Sequence, residues 1–163
     1  MSATATLRPA SRPAPTCSIA RSLEVLGEKW TLLIVREAMW GRTRFSEFKE
    51  RLGVSSDILA DRLTTLVDHG VMERRSYRED GARERYSYHL TESGRALRTT
   101  LAALTAWGDA YRPNPSGPAT IYRELATGAP TRVAFVDGSG RELSSEEVET
   151  VRGPGDSSGR LLG

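Results

Sequence analysis

The sequence predicts an α+β fold, mainly α, and three patterns carry that expectation. Apolar residues recur at helical spacing over most of residues 18–112. The period drops to two between Val71 and Leu90, with Asp80-Gly81 at its centre, a strong hairpin signal. Beyond a Pro-rich stretch, Pro113 to Pro118, only short strand-like runs and one helix-capping pattern remain. The chain therefore divides into a flexible arm over 1–16, one main domain over 17–112, and a linker over 113–118. A small C-terminal β/α extension over 119–152 and a disordered tail over 153–163 complete it.

In chain order, the first predicted helix runs from Ser18 to Leu26. It places Ile19, Leu23 and Leu26 on one face and stops at Gly27. The second, Lys29 to Trp40, is apolar on most sides and belongs at the centre of a core. A short helix follows from Ser46, read as its N-cap, to Leu52. Gly53-Val54 makes a tight turn. Ser55 or Ser56 then caps a helix over Asp57 to His69, with Leu59, Leu63, Leu66 and Val67 inward and Gly70 past its end. Val71 to Arg78 and Glu84 to Leu90 read as the hairpin strands. Thr91 caps a long helix through about Arg112. Its stripe of Leu97, Leu101, Leu104, Gly108 and Tyr111 is flanked by a second containing Trp107, more apolar face than one small core needs. The surplus predicts a partner helix, most simply that of a second copy. In the extension, Ile121 to Leu125 and Thr131 to Val136 read as strands, and Ser144 with Glu147 as a capping box opening a short helix.

Helix, Gly turn, longer helix with one polar face, then a basic hairpin is the order of a winged helix-turn-helix. That order predicts binding to double-stranded DNA, since the major groove admits one helix. The residues expected to meet DNA are Arg44 and Ser46, then Ser55, Ser56, Asp57, Asp61, Arg62 and Thr65 on the reading helix. Arg78, Arg83 and Arg85 on the hairpin would lie along the backbone or in the minor groove. Asp57 and Asp61 repel phosphates, so affinity is expected to rest on the hairpin arginines and on paired half-sites. A homodimer interface is expected at Ile19, Leu23, Leu97, Leu101, Leu104, Trp107, Gly108 and Tyr111. The competing reading is a winged-helix protein-interaction module that does not bind DNA.

Composition narrows the remaining classes. The 163 residues are 38% hydrophobic and 27% charged, as in a globular protein with polar ends. Net charge is +2, but residues 1–112 carry +4 and residues 113–163 carry −2. Lys29 and Lys49 are the only lysines among 23 basic residues; the rest are arginine, whose planar fork suits phosphates and base edges. No apolar run exceeds four residues, which predicts a cytoplasmic protein with no membrane partner. One cysteine and two histidines leave no expected metal site and no cofactor. No nucleophile, base and orienter occur together and no Gly-rich phosphate loop is present, which argues against an enzyme.

Several blocks together are more specific than any of these patterns. Cys17-Ser18-Ile19 is followed by Leu26-Gly27-Glu28-Lys29-Trp30 and by Arg44-Phe45-Ser46-Glu47-Phe48. Then come Ser55, Leu59, Arg62-Leu63, Leu66, Asp68-His69-Gly70-Val71, Arg74, Tyr86, Leu90-Thr91, Gly94, Leu97 and Trp107-Gly108. Over residues 17–112 the chain resembles the HxlR family of winged helix-turn-helix regulators. The resemblance implies transcription control by a dimer built from the first and last helices of the domain. It also implies a response to an electrophile, an oxidant or a small-molecule effector. Ser18 and Glu28 depart from the family's usual proline and glycine. The extension is similar to one found in some actinobacterial members, where paired cysteines suggest a zinc ribbon. Here Val136-Asp137-Gly138-Ser139-Gly140 has none, so the resemblance implies a metal-free relic of that ribbon.

Cys17 is the candidate redox sensor. It precedes a helix start, where the helix dipole favours a thiolate, and Arg21 lies one turn on. The alternative is a small buried hydrophobe.

Overall fold

In the computed structural model the structure describes residues 17–78 and 83–155. The predicted arm over 1–16, the Asp80-Gly81 turn and the tail beyond residue 155 lie outside the described residues.

Five helices and one hairpin build the main domain: α1 (Ser18–Leu26), α2 (Lys29–Met39), α3 (Phe45–Leu52), α4 (Ser56–Asp68), β1 (Met72–Tyr77), β2 (Arg85–Leu90) and α5 (Glu92–Tyr111). The core sits where α2, α3 and α4 meet the hairpin and α5. Ile34, Val35, Phe48, Leu59, Leu63, Leu66 and Met72 are fully or almost fully buried there. Each such side chain contributes roughly 1.5–3 kcal/mol through burial. As its all-round apolar pattern predicts, α2 is central. It also buries Glu37, only 1% exposed, among Arg36, Arg42 and Arg51 at 2.6, 3.3 and 3.9 Å. A buried carboxylate is tolerable only with such partners.

The helix pair α3–α4 turns at Gly53, whose φ of 61° lies in the left-handed region that suits glycine. Its N–H closes α3 onto the Lys49 carbonyl at 3.0 Å. One expectation changes here: Ser46 is not the cap of α3. The helix begins one residue earlier, with Arg44 at the N-cap position. Glu47 reaches back to accept from the N–H groups of Thr43 and Arg44, each at 2.8 Å. At α4, Ser55 is the cap, its hydroxyl accepting from the Ile58 N–H at 3.4 Å.

β1 and β2 pair antiparallel, from Met72 opposite Leu90 to Tyr77 opposite Arg85. Within one residue these are the predicted strands. The sequence pattern missed a third participant. The Tyr88 N–H donates to the Thr43 carbonyl at 2.7 Å and Arg44 bridges to Ser87, so the segment before α3 lines the hairpin as an extra short strand.

The start of α5 is fixed to the end of α4. The Thr91 hydroxyl accepts from the Gly94 N–H at 3.2 Å and donates to the Gly70 carbonyl at 2.6 Å. A side chain on Gly94 would stand 2.2 Å from the Val71 carbonyl oxygen, so only glycine permits this approach. Further along, α5 divides into three flanks. Leu97 and Leu101 pack on the subunit's own core, Arg98, Ala102, Ala106 and Asp109 face the extension, and Leu104, Trp107 and Tyr111 face outward.

The extension is less regular than its pattern predicts. The Ile121–Leu125 run makes only a bridge from Arg123 to Pro130. The Thr131–Val136 run shrinks to β3 (Phe135–Val136), paired with β4 (Glu142–Leu143). Asp137 organises the turn between them, accepting from the Ser139 hydroxyl at 2.7 Å and the Arg141 N–H at 3.0 Å. The predicted capping box forms, with the Ser144 N–H donating to Glu147 at 2.9 Å, but it opens only a 3-10 turn over Ser145–Glu147. No residue between 119 and 152 is buried, so there is too little apolar contact to hold longer strands or a helix.

Candidate nucleic-acid interface

The α3–α4 pair and the hairpin present one continuous polar surface. On α4, Ser55, Ser56, Asp57, Ala60, Asp61 and Thr64 are exposed, while Leu59, Leu63 and Leu66 hold the opposite face in the core. This is the division the spacing of the leucines dictates. The Thr64 and Thr65 hydroxyls donate back to the carbonyls of Ala60 and Asp61, at 2.9 and 3.1 Å. Their protons are taken; what they offer outward is acceptor lone pairs and methyl groups.

Arg62 differs from the sequence expectation in direction. Its guanidinium, 24% exposed, pairs with Asp61 and reaches Glu28 at 4.0 Å. It therefore ties α4 to the α1–α2 junction, and any reach to a base or phosphate must give up those contacts. The same pairing offsets one of the two carboxylates on the reading face.

Two residues enter the surface that sequence reasoning did not select. Lys49 on α3 donates to the Ser56 hydroxyl at 2.7 Å, which places an ammonium at the first turn of α4. A lysine seven residues before a serine across a Gly turn was the available signal. Tyr77 is the second: the Arg44 guanidinium lies 5.1 Å from its ring centre, and Arg85 stands opposite it in the register. With Ser46, Tyr86 and Tyr88 they line a cleft of about 370 Å³ between the start of α3 and the hairpin. Arg74 stacks on Tyr86 at 4.2 Å, and Arg75 pairs with Glu73. Arg78 and Arg83, at the ends of the described hairpin segments, are exposed.

A second surface is apolar. Ile19 and Leu23 on α1 are 70% and 56% exposed, and Leu104, Trp107 and Tyr111 on α5 are similarly open. The Trp107 and Tyr111 rings pack against each other at 5.6 Å. Two members of the predicted interface set are placed otherwise. Leu101 is buried in the subunit's own core and Leu97 packs against that core. They step from the same stripe as Leu104, but α2 and the hairpin cover their end of the helix. Gly108 is half-buried, with nothing within 4 Å of where a Cβ would stand.

Cys17 is exposed at the N-cap position of α1, and Arg21 donates to the neighbouring Ser18 hydroxyl at 2.9 Å. Within the single chain, therefore, the thiol is not part of the buried core. Among the described residues no group of three His, Cys, Asp or Glu side chains could hold a metal ion, and no helix is long and apolar enough to cross a membrane.

Comparison with known proteins agrees with this geometry. A family model described as HxlR-like helix-turn-helix matches residues 25–116. An HTH-type transcriptional regulator of Mycobacterium tuberculosis is 40% identical over 140 residues, 85% of this chain and 87% of that protein. Among solved structures, the candidate transcription factor PA1607 is similar with a TM-score of 0.72 and 38% identity, over 84% of this chain and 95% of that one. The redox regulator HypR in its oxidised form matches with a TM-score of 0.53 and 28% identity, over 59% of this chain and 98% of its own. The helix pair, the hairpin and these matches lead to one conclusion: the chain belongs to the HxlR-like helix-turn-helix family of transcriptional regulators.

Proposed function

We propose that this regulator binds a pseudo-palindromic DNA operator as a homodimer, with α4 in the major groove and the hairpin along the flanking backbone. The observation that carries the reading is the shared surface itself. Lys49, Ser56 and the exposed side of α4 are continuous with Arg44, Tyr77 and Arg85, so a helix edge and a basic wing can meet one duplex together. Arg44, Ser46, Ser55, Ser56, Asp57, Asp61, Thr65, Arg78, Arg83 and Arg85 are the contacts, joined by Lys49. Arg62 positions α4 through Glu28. The second subunit joins through Ile19, Leu23, Leu104, Trp107 and Tyr111, whose exposure a lone subunit leaves unexplained. The test is a mobility-shift assay on the DNA upstream of the protein's own gene, run from low to moderate salt. A specific complex of two chains per duplex is expected, the logarithm of its binding constant falling linearly with the logarithm of salt concentration. No complex at low salt would favour a winged-helix module that binds protein instead.

A redox input through Cys17 is the second part of the reading. It is favoured by the exposure of Cys17 at a helix start and by the likeness to a regulator named for its redox response. Diamide or a quinone is expected to weaken operator binding of the parent and to leave Cys17→Ser unaffected. Equal responses in the two proteins would remove Cys17 from the mechanism.

A further inference from the structure

Between α5 and the extension runs a cleft of about 550 Å³, well apart from the DNA-facing surface. On the helix side it is floored by Ala102 and Ala106, on the other by Ile121 and Val133. The short side chains on this flank of α5 leave the space beside the helix unfilled, and no residue of the extension is buried. Protein layers normally close to near-crystalline density; these two do not. The volume lies within the 300–1,000 Å³ range of small-molecule sites.

The charges on the cleft wall are distributed unequally. Arg98 lines it and has no ion-pair partner among the described residues, while Arg132 is already paired with Glu142. Asp109 also lines the cleft, eleven residues from Arg98, or about 16 Å along the helix. One end thus offers a guanidinium whose N–H donors have no carboxylate partner among the described residues, the middle is lined by Ala102, Ala106, Ile121 and Val133 with threonines among them, and the far end repels anions. A guanidinium prefers the planar fork of a carboxylate.

From this we infer that the α5–extension cleft is the effector site, and that its ligand is a small carboxylate with an apolar body. The carboxylate pairs with Arg98 and the body fills the space over Ala102 and Ala106. Such a ligand supplies the buried surface that the extension lacks and presses it against the helix whose other flank carries Leu104, Trp107 and Tyr111. The inference adds a small-molecule input to the proposed regulator and rests on that reading for its regulatory meaning, but binding itself needs no DNA.

The test uses the full chain, with 1-naphthoate and its neutral analogue 1-naphthamide as probes, followed by titration calorimetry. Naphthoate is expected to bind about tenfold more tightly than the amide, and Arg98→Met to reduce naphthoate to the level of the amide. Ala106→Phe, which fills the cleft from an exposed position, is expected to abolish binding of both. Absence of naphthoate binding, equal affinity for acid and amide, or unchanged binding in Ala106→Phe would each overturn the site. A mobility shift run beside it separates the two readings. DNA binding without naphthoate binding refutes the cleft alone, and naphthoate binding without a DNA complex refutes the operator reading alone.

Discussion

Glu47 accepts from two backbone N–H groups at the start of α3, and its carboxyl is held below the usual carboxylate range, first by the Arg44 N–H and then by that of Thr43. A depressed folded value means that the cap's stabilisation is complete above the unfolded carboxylate value. It is lost as pH falls through the lowered one. Glu47→Ala is expected to cost about 1 kcal/mol at neutral pH. Urea unfolding at stepped pH should show the gap to the parent narrowing as pH falls below the ordinary glutamate range, about 4.3; a gap independent of pH would assign the loss to something other than the carboxylate. Lys49 makes a different kind of contribution. Lys49→Ala leaves the core untouched, so its expected effect is on DNA: weaker binding to all sequences and a salt slope smaller by about one. An unchanged slope would mean that its ammonium meets no phosphate. The residue's place in the surface depends on where the α3–α4 turn brings two helix ends, which the apolar period does not mark; the Gly turn between Lys49 and Ser56 was the one sequence signal for it.

At the scale of elements, the five helices and both hairpin strands were legible because their apolar periods are unambiguous, and glycines close the first four helices. Leu59, Leu63 and Leu66 alone fix which side of α4 is exposed. What was not legible follows from tertiary contact. Thr43 and Arg44 become strand-like only because the hairpin edge stands beside them, and nothing in their own sequence period marks it. The extension's runs read as strands yet form little ladder, since no buried face rewards longer pairing. The joint between α4 and α5 is the element-scale feature with the sharpest test. Gly94→Ala must push a methyl against the Val71 carbonyl and the Leu90 side chain, at 2.2 and 2.9 Å. A loss of about 1–3 kcal/mol is expected in thermal or urea unfolding. Gly108→Ala, with open space around it, should lose nothing within the subunit and serves as the control.

For the whole molecule, the apolar stripe on α1 and α5 is a feature that one chain does not explain. Trp107→Glu should raise the dimer dissociation constant at least about 30-fold in sedimentation, with the helical content unchanged. A variant as dimeric as the parent would move the interface elsewhere. The sequence showed surplus apolar face on α5 but not its division, because Leu97 and Leu101 lie on the same stripe as Leu104 and only the packing of α2 separates them. The exposed side of α4 and the basic hairpin beside it were legible in outline from the order of elements, whereas the turning of Arg62 toward Glu28 needed three dimensions. The Thr91 joint carries one more implication. Because Thr91 links the carbonyl of Gly70 to the N-terminus of α5, each reading helix is bolted to the element that meets the second subunit. The proposed dimer is then a caliper with a locked jaw. It measures the separation and phase of two half-sites, and one inserted base pair, a rotation of about 34°, leaves both half-sites intact yet beyond its grip.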